Sequence, residues 1–126
     1  QILCGFGRGV PAVKKEHDME LNRRFEDGYS REDGLIFLPE ECETLAVNCV
    51  RVSRGEQTEP AVHPDEEEIY VFLEGEGVVF LNREAHAVSR GSIVYIPRWT
   101  EHAVEGRSDE PLVYVCVANW PDKKAG

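Results

Sequence analysis

The stretch EPAVHPDEEEIYVFLEGEG, residues 59–77, decides how this chain is read. Its second half, EIYVFLE (68–74), is rich in residues that suit a pleated strand, and Gly75-Glu76-Gly77 closes it with a turn signal. Its first half sets His63 five residues before Glu68, and a bend at Pro64-Asp65 would bring the two side chains together. In extended chain alternate side chains share a face. Gln57, Glu59, Ala61 and His63 therefore form one set, and Glu68, Tyr70 and Phe72 another. An imidazole and a carboxylate are donors that a divalent first-row metal accepts, but two bind weakly and a third must come from elsewhere. His102 is the best candidate, because it follows SIVYIP (92–97) and the turn PRWTE and opens a further strand-like segment.

Outward from this stretch the pattern repeats. Segments rich in Val, Ile, Tyr and Phe, separated by Gly, Pro, Asn and charged residues, predict strands at 44–53, 57–63, 68–74, 77–82, 84–89, 92–97, 101–106 and 111–119. The short connections at Gly75-Glu76-Gly77 and Asn82-Arg83 favour antiparallel hairpins, and no helical pattern intervenes to make parallel crossovers. A sandwich or barrel follows. Residues 1–43 lack clean periodicity and are expected to form an arm, with one or two helical turns in EHDMELNRRFEDG (16–28) ending at Gly28. Residues 44–119 form the single core and 120–126 a tail.

Size and charge narrow the function. A chain of 126 residues supports one core, and its 41% hydrophobic and 30% charged residues match a soluble globular class. No apolar run approaches the roughly 20 residues of a membrane span. The net charge of -10 argues against nucleic acid or anionic lipid as a partner. The acid is concentrated centrally, with 16 Asp and Glu against 6 Arg and Lys in residues 39–110. That surplus suits a bound cation or a solvated surface. Cys4, Cys42, Cys49 and Cys116 form no C-x-x-C pair and are expected as reduced thiols. The opening QILCGFGRGV lacks the basic-then-apolar order of a secretory signal, so the cytoplasm is the expected location.

Two motifs resemble those of the cupin superfamily. Residues 55–75 are similar to its first, G-x5-H-x-H-x4-E-x6-G, through Gly55, His63, Glu68 and Gly75, with Ala61 at the first histidine. Residues 91–106 are similar to its second, G-x5-P-x-G-x2-H-x3-N, through Gly91, Pro97 and His102, with Trp99 and Gly106 replacing the family's Gly and Asn. The short segment between them, 76–90, resembles small single-domain bacterial members. The resemblance implies an all-β jelly-roll barrel of six to eight strands, often a homodimer, holding a metal on three His and one Glu inside the barrel.

Carried over to this chain, the ligands are His63, Glu68 and His102, while Ala61 offers none. Three arrangements are open. The three donors hold a metal (Fe, Mn, Ni or Zn) with an extra open position, Gln57 or Glu59 substitutes, or the pocket binds a small ligand directly. Glu59 and Tyr70 are candidates for moving protons. Gln57, Phe72 and Trp99, with Tyr114 or Cys116, are candidates for lining a substrate pocket. Asp65, Glu66 and Glu67, Glu74 and Glu76, and His86 are expected at the surface, and His17 lies in the arm. The leading functional expectation is a metal-dependent dioxygenase, isomerase or lyase acting on a small polar organic molecule. The competing one is a non-catalytic module that binds a sugar or carboxylate.

Overall fold

The fold was described from a computed structural model covering residues 19–123, in which eight strands form two antiparallel sheets. They are β1 (Leu35–Phe37), β2 (Leu45–Val52), β3 (Glu67–Glu74), β4 (Glu76–Leu81), β5 (Glu84–Ser89), β6 (Ile93–Ile96), β7 (His102–Gly106) and β8 (Leu112–Asn119). One sheet runs β1-β2-β8-β3-β6 and the other β5-β4-β7. The strand pattern predicts an all-β sandwich or barrel, and the two sheets form the jelly roll that the resemblance implies.

Two expectations about the elements need correction. Residues 57–63 form no ladder; they meet β7 through isolated bridges, Gln57 to Glu105 and Ala61 to His102, and through the Thr58 bonds to Val104. Pro60 supplies no N–H and the segment runs into Pro64, so a continuous ladder there has a missing donor. The eighth strand is instead β1, from the segment read as an arm, which pairs with β2. Three residues are too few to show a period-2 pattern. The expected helical turns over 16–28 are replaced by a 3-10 turn at Phe25–Ser30, which runs through Gly28. Residues 16–18, Cys4, His17 and the end of the tail (124–126) lie outside the described residues.

The two short connections also differ from one another. Asn82 and Arg83 (φ 51° and 72°) make the two-residue hairpin between β4 and β5. Gly75 does not make a hairpin: β3 pairs with β6 and β8, whereas β4 pairs with β5 and β7, so this turn carries the chain from one sheet to the other. Its φ is 80°, and a Cβ there would lie 2.3 Å from the carbonyl oxygen of Pro111. Both the backbone angle and the close approach require glycine.

Alternation along the strands builds the core. Tyr70 and Phe72 on β3, Leu112, Tyr114 and Cys116 on β8, Val79 on β4 and Val104 on β7 all point between the sheets, joined by Val52, Val88 and Ile96. The outer face of the larger sheet carries a second cluster, Ile36, Cys49 and Val113, covered by Phe25 and Phe37. Arg23 fastens this edge: its guanidinium lies 4.2 Å from the Phe37 ring centroid and pairs with Glu41 at 2.9 Å. Cys42, Cys49 and Cys116 are free thiols, and burial pushes the pKa of each up. Among the described residues no helix is long and apolar enough to cross a membrane.

Candidate metal centre

The site forms at one end of the barrel, where β3 and β7 begin. Glu68 is the first inward residue of β3 and His102 the first of β7; both are buried. The extended segment 57–63 is held against this end by reciprocal backbone bonds between Ala61 and His102, both 3.0 Å. Two residues on, the His63 carbonyl accepts the Trp99 N–H at 2.9 Å. Local geometry of the two loops thus depends on both, and it brings the second histidine to the first.

His63, Glu68 and His102 each place a donor atom within 4.8 Å of the others. His102 Nε2 lies 3.3 Å from Glu68 Oε1, and His63 Nε2 4.0 Å from Glu68 Oε2. Ligand atoms on one side of an ion at about 2.0–2.2 Å lie about 3.0–3.5 Å apart, so a closure of about 1 Å, mostly by the partly exposed His63, would seat a metal. The donor chemistry fits as well. His102 Nδ1 lies 2.9 Å from the Thr100 carbonyl, which fixes the proton on Nδ1 and leaves Nε2 free to bind. Two imidazoles and a carboxylate on one side of an ion leave its remaining positions open.

Charges at the site are set by mutual contact. Burial works against the Glu68 carboxylate, but bonds to His102, Glu66 and Tyr70 outweigh it and hold its pKa below the ordinary range. Burial also opposes charge on His102, yet the bond to Glu68 keeps its basicity raised. Tyr70 donates its hydroxyl to Glu68 Oε1 at 2.9 Å, and burial pushes the phenol far up. Beyond it, Tyr70 and Tyr114 stack with centroids 4.6 Å apart and Phe72 and Tyr114 with centroids 4.9 Å apart, forming an aromatic floor.

The remaining expected site residues are distributed unevenly. Phe72 and Tyr114 are buried in that floor, and Cys116 stands beside them. Trp99 is 69% exposed on the loop with φ 68°, the left-handed conformation for which the family pattern has glycine. Gln57 and Glu59 are exposed. Gln57 lines a groove of about 360 Å³ with Pro60, Phe80, Arg83, Glu101, His102 and Ala103. His86 is exposed, as expected.

Glu66 departs from expectation. Read as a surface acid, its side chain is only 13% exposed; Oε1 lies 3.8 Å from His63 Nδ1, and the carboxyl also faces Glu68 and the Trp120 indole. Burial first, then Glu68, raises its pKa well above the carboxylate range, to about 8. In a run of DEEE no local signal separates Glu66 from its neighbours; Trp120, from the other end of the chain, closes over it. The Thr100 carbonyl was likewise invisible, because any residue type supplies one.

Comparison with known proteins agrees with this architecture. The family profile described as "Cupin domain" matches residues 48–118. An uncharacterized protein of Methanocaldococcus jannaschii is 37% identical over 67 residues, 53% of this chain and 54% of that protein. The chain thus spans about half the length of the curated relative it matches. A cupin protein from Bacteroides fragilis has a similar fold, with 20% identity, a TM-score of 0.64, and coverage of 76% of this chain and 84% of the other. KdgF from Halomonas sp. is similar at 24% identity and TM-score 0.58, covering 72% and 84%. A sugar phosphate isomerase from Silicibacter pomeroyi is similar at 22% identity and TM-score 0.59, covering 69% and 60%.

Proposed function

This chain belongs to the cupin family, and from that premise we propose that it is a metal-dependent enzyme acting on a small polar organic molecule at the barrel end. The observation that carries this is the convergence of His63, Glu68 and His102 donors within 4.8 Å, with His102 already held in the ligating tautomer. His63, Glu68 and His102 would hold a divalent metal, which would supply Lewis-acid chemistry and open positions for substrate or dioxygen. The protein residues supply the rest. Tyr70 fixes one carboxylate oxygen through its hydrogen bond, and the raised pKa of its phenol means that it keeps its proton there. The Tyr70, Tyr114 and Phe72 floor excludes water from the inner side. His63, at 33% side-chain exposure, lies on the open side from which substrate enters. Glu59 and Trp99, both exposed near this mouth in sequence, are assigned to substrate contact and proton movement on the solvent side.

Elemental analysis of protein purified without chelator tests the proposal. Near-stoichiometric metal, lost in His63→Ala and His102→Ala, is expected; folded wild-type protein that holds none overturns it. With metal bound, oxygen consumption on keto acids, diketones and phenolics marks dioxygenase chemistry, and turnover without oxygen marks an isomerase or lyase. A second reading, a ligand-binding module without metal, is favoured by Ala61 at a family ligand position.

The homodimer implied by the family has a surface to use. Across the outer face of the larger sheet the register sets Tyr95 beside Ile69, Ile69 beside Val117 and Val117 beside Val47; the next row is Ile93, Val71 and Val115. Ile93 is 69% exposed and Tyr95 54%. A contiguous apolar face of this kind favours association with a second copy. Sedimentation should give a dimer that Ile93→Glu shifts to monomer; a wild-type monomer refutes it.

A further inference from the structure

Resting on the metal centre proposed above, we propose that Glu66 is its positioning residue, accepting the Nδ1 proton of His63 so that Nε2 is presented to the ion. The two histidines of the centre pose the same problem and solve it differently. His102 directs Nε2 inward because Nδ1 is held by the Thr100 carbonyl at 2.9 Å. The His63 ring has no such backbone anchor among the described residues. Its two nitrogens face two carboxylates instead: Nε2 faces Glu68 Oε2 at 4.0 Å, and Nδ1 faces Glu66 Oε1 at 3.8 Å.

The Nδ1 to Glu66 separation is about 1 Å beyond a hydrogen bond, and a modest turn of the one-third exposed imidazole closes it. Seating an ion draws the same ring inward, since its Nε2 must also approach. Glu66 itself has little freedom: its carboxyl is covered, with the Trp120 indole against it. A carboxylate that orients a ligating imidazole raises its donor strength and fixes its tautomer. Such support matters more here than in a site with a full ligand set, because Ala61 leaves three donors and each must be well aimed.

The test uses the full chain, stripped with chelator and titrated with Co(II) alone, in wild type, Glu66→Gln, Glu66→Ala and the exposed control Asp65→Asn. Orientation by Glu66 predicts affinity about 10–100-fold lower in Glu66→Ala, a smaller loss in Glu66→Gln, whose carbonyl still accepts from Nδ1, and none in Asp65→Asn. Histidine-labelled 15N spectra of the Zn(II)-loaded proteins should show His63 coordinated through Nε2 with Nδ1 protonated in wild type, and a weakened or mixed signal in Glu66→Ala. Wild-type affinity and an unchanged His63 signal in Glu66→Ala overturn the role of Glu66 while leaving the metal centre intact. No binding of Co(II) by folded wild type overturns the metal centre and the role of Glu66 with it. Equal losses in Glu66→Gln and Asp65→Asn would also refute orientation, since they would report general charge rather than contact.

Discussion

Replacing Ala61 by histidine adds a ligand where the chain has none, and its effect can be worked from the backbone. Ala61 and His102 exchange both backbone hydrogen bonds, each 3.0 Å long, so they are a directly opposed antiparallel pair. Opposed residues project side chains to the same face with Cβ atoms about 5 Å apart, so an imidazole at position 61 enters the centre beside His102. Four ligands give a structural zinc roughly 10–16 kcal/mol, about 3 kcal/mol each, which corresponds to about a hundredfold in affinity. Chelator-competition titration with Zn(II) should therefore find Ala61→His about a hundredfold tighter than wild type, and His102→Ala weaker by a similar factor. A folded Ala61→His that binds no tighter, alongside a weakened His102→Ala, would refute the placement of residue 61 at the centre.

Phe72, 1% exposed and stacked on Tyr114, should cost about 3–5 kcal/mol when changed to Ala in urea denaturation; a loss below about 1 kcal/mol would show that the floor collapses to fill the space. At position 99, whose φ is 68°, glycine should be more stable than alanine by about 1 kcal/mol, because only the L side chain is strained there. Equal stabilities would contradict the left-handed backbone. In the metal-free protein the raised pKa of Glu66 makes the folded state bind its proton more tightly than the unfolded chain does. That stability is present below the ordinary glutamate pKa of about 4.3 and is lost as pH rises above it, so the urea midpoint should fall toward alkaline pH and flatten in Glu66→Gln. Glu68, shifted the other way, loses its contribution only as pH falls below the same range. A midpoint that rises from pH 5 to pH 8 would sink this account. Cys49 and Cys116, buried with raised pKa, should resist thiol reagents until unfolding, and fast native labelling of either would contradict their placement.

How far the sequence could be read depended on the range of the interaction concerned. Strand positions follow from side chains a few residues apart, and seven of the expected segments are strands with ends shifted by at most one residue. The exceptions have physical reasons. Residues 57–63 carry a strand-like pattern but lack the N–H at Pro60 and run into Pro64, and β1 is too short to show any pattern. Gly75 was legible as a glycine turn, yet whether that turn folds a strand back or carries it to the other sheet depends on which strands it joins.

The sequence by itself determined the all-β architecture and the trio His63, Glu68 and His102, because period-2 alternation and fixed spacings at two motifs are local properties of the chain. Tertiary structure alone decided the charge and orientation of that trio. Tyr70 is two residues from Glu68 and bonds it only because β3 is extended and buried. Thr100 aims His102 through a carbonyl that every residue possesses. Glu66 became a partner of His63, rather than one more solvated acid in DEEE, because the bend after Pro64 and the indole of Trp120 take it out of water. Burial is a property of the assembled barrel, and it separates these four adjacent acids into different roles.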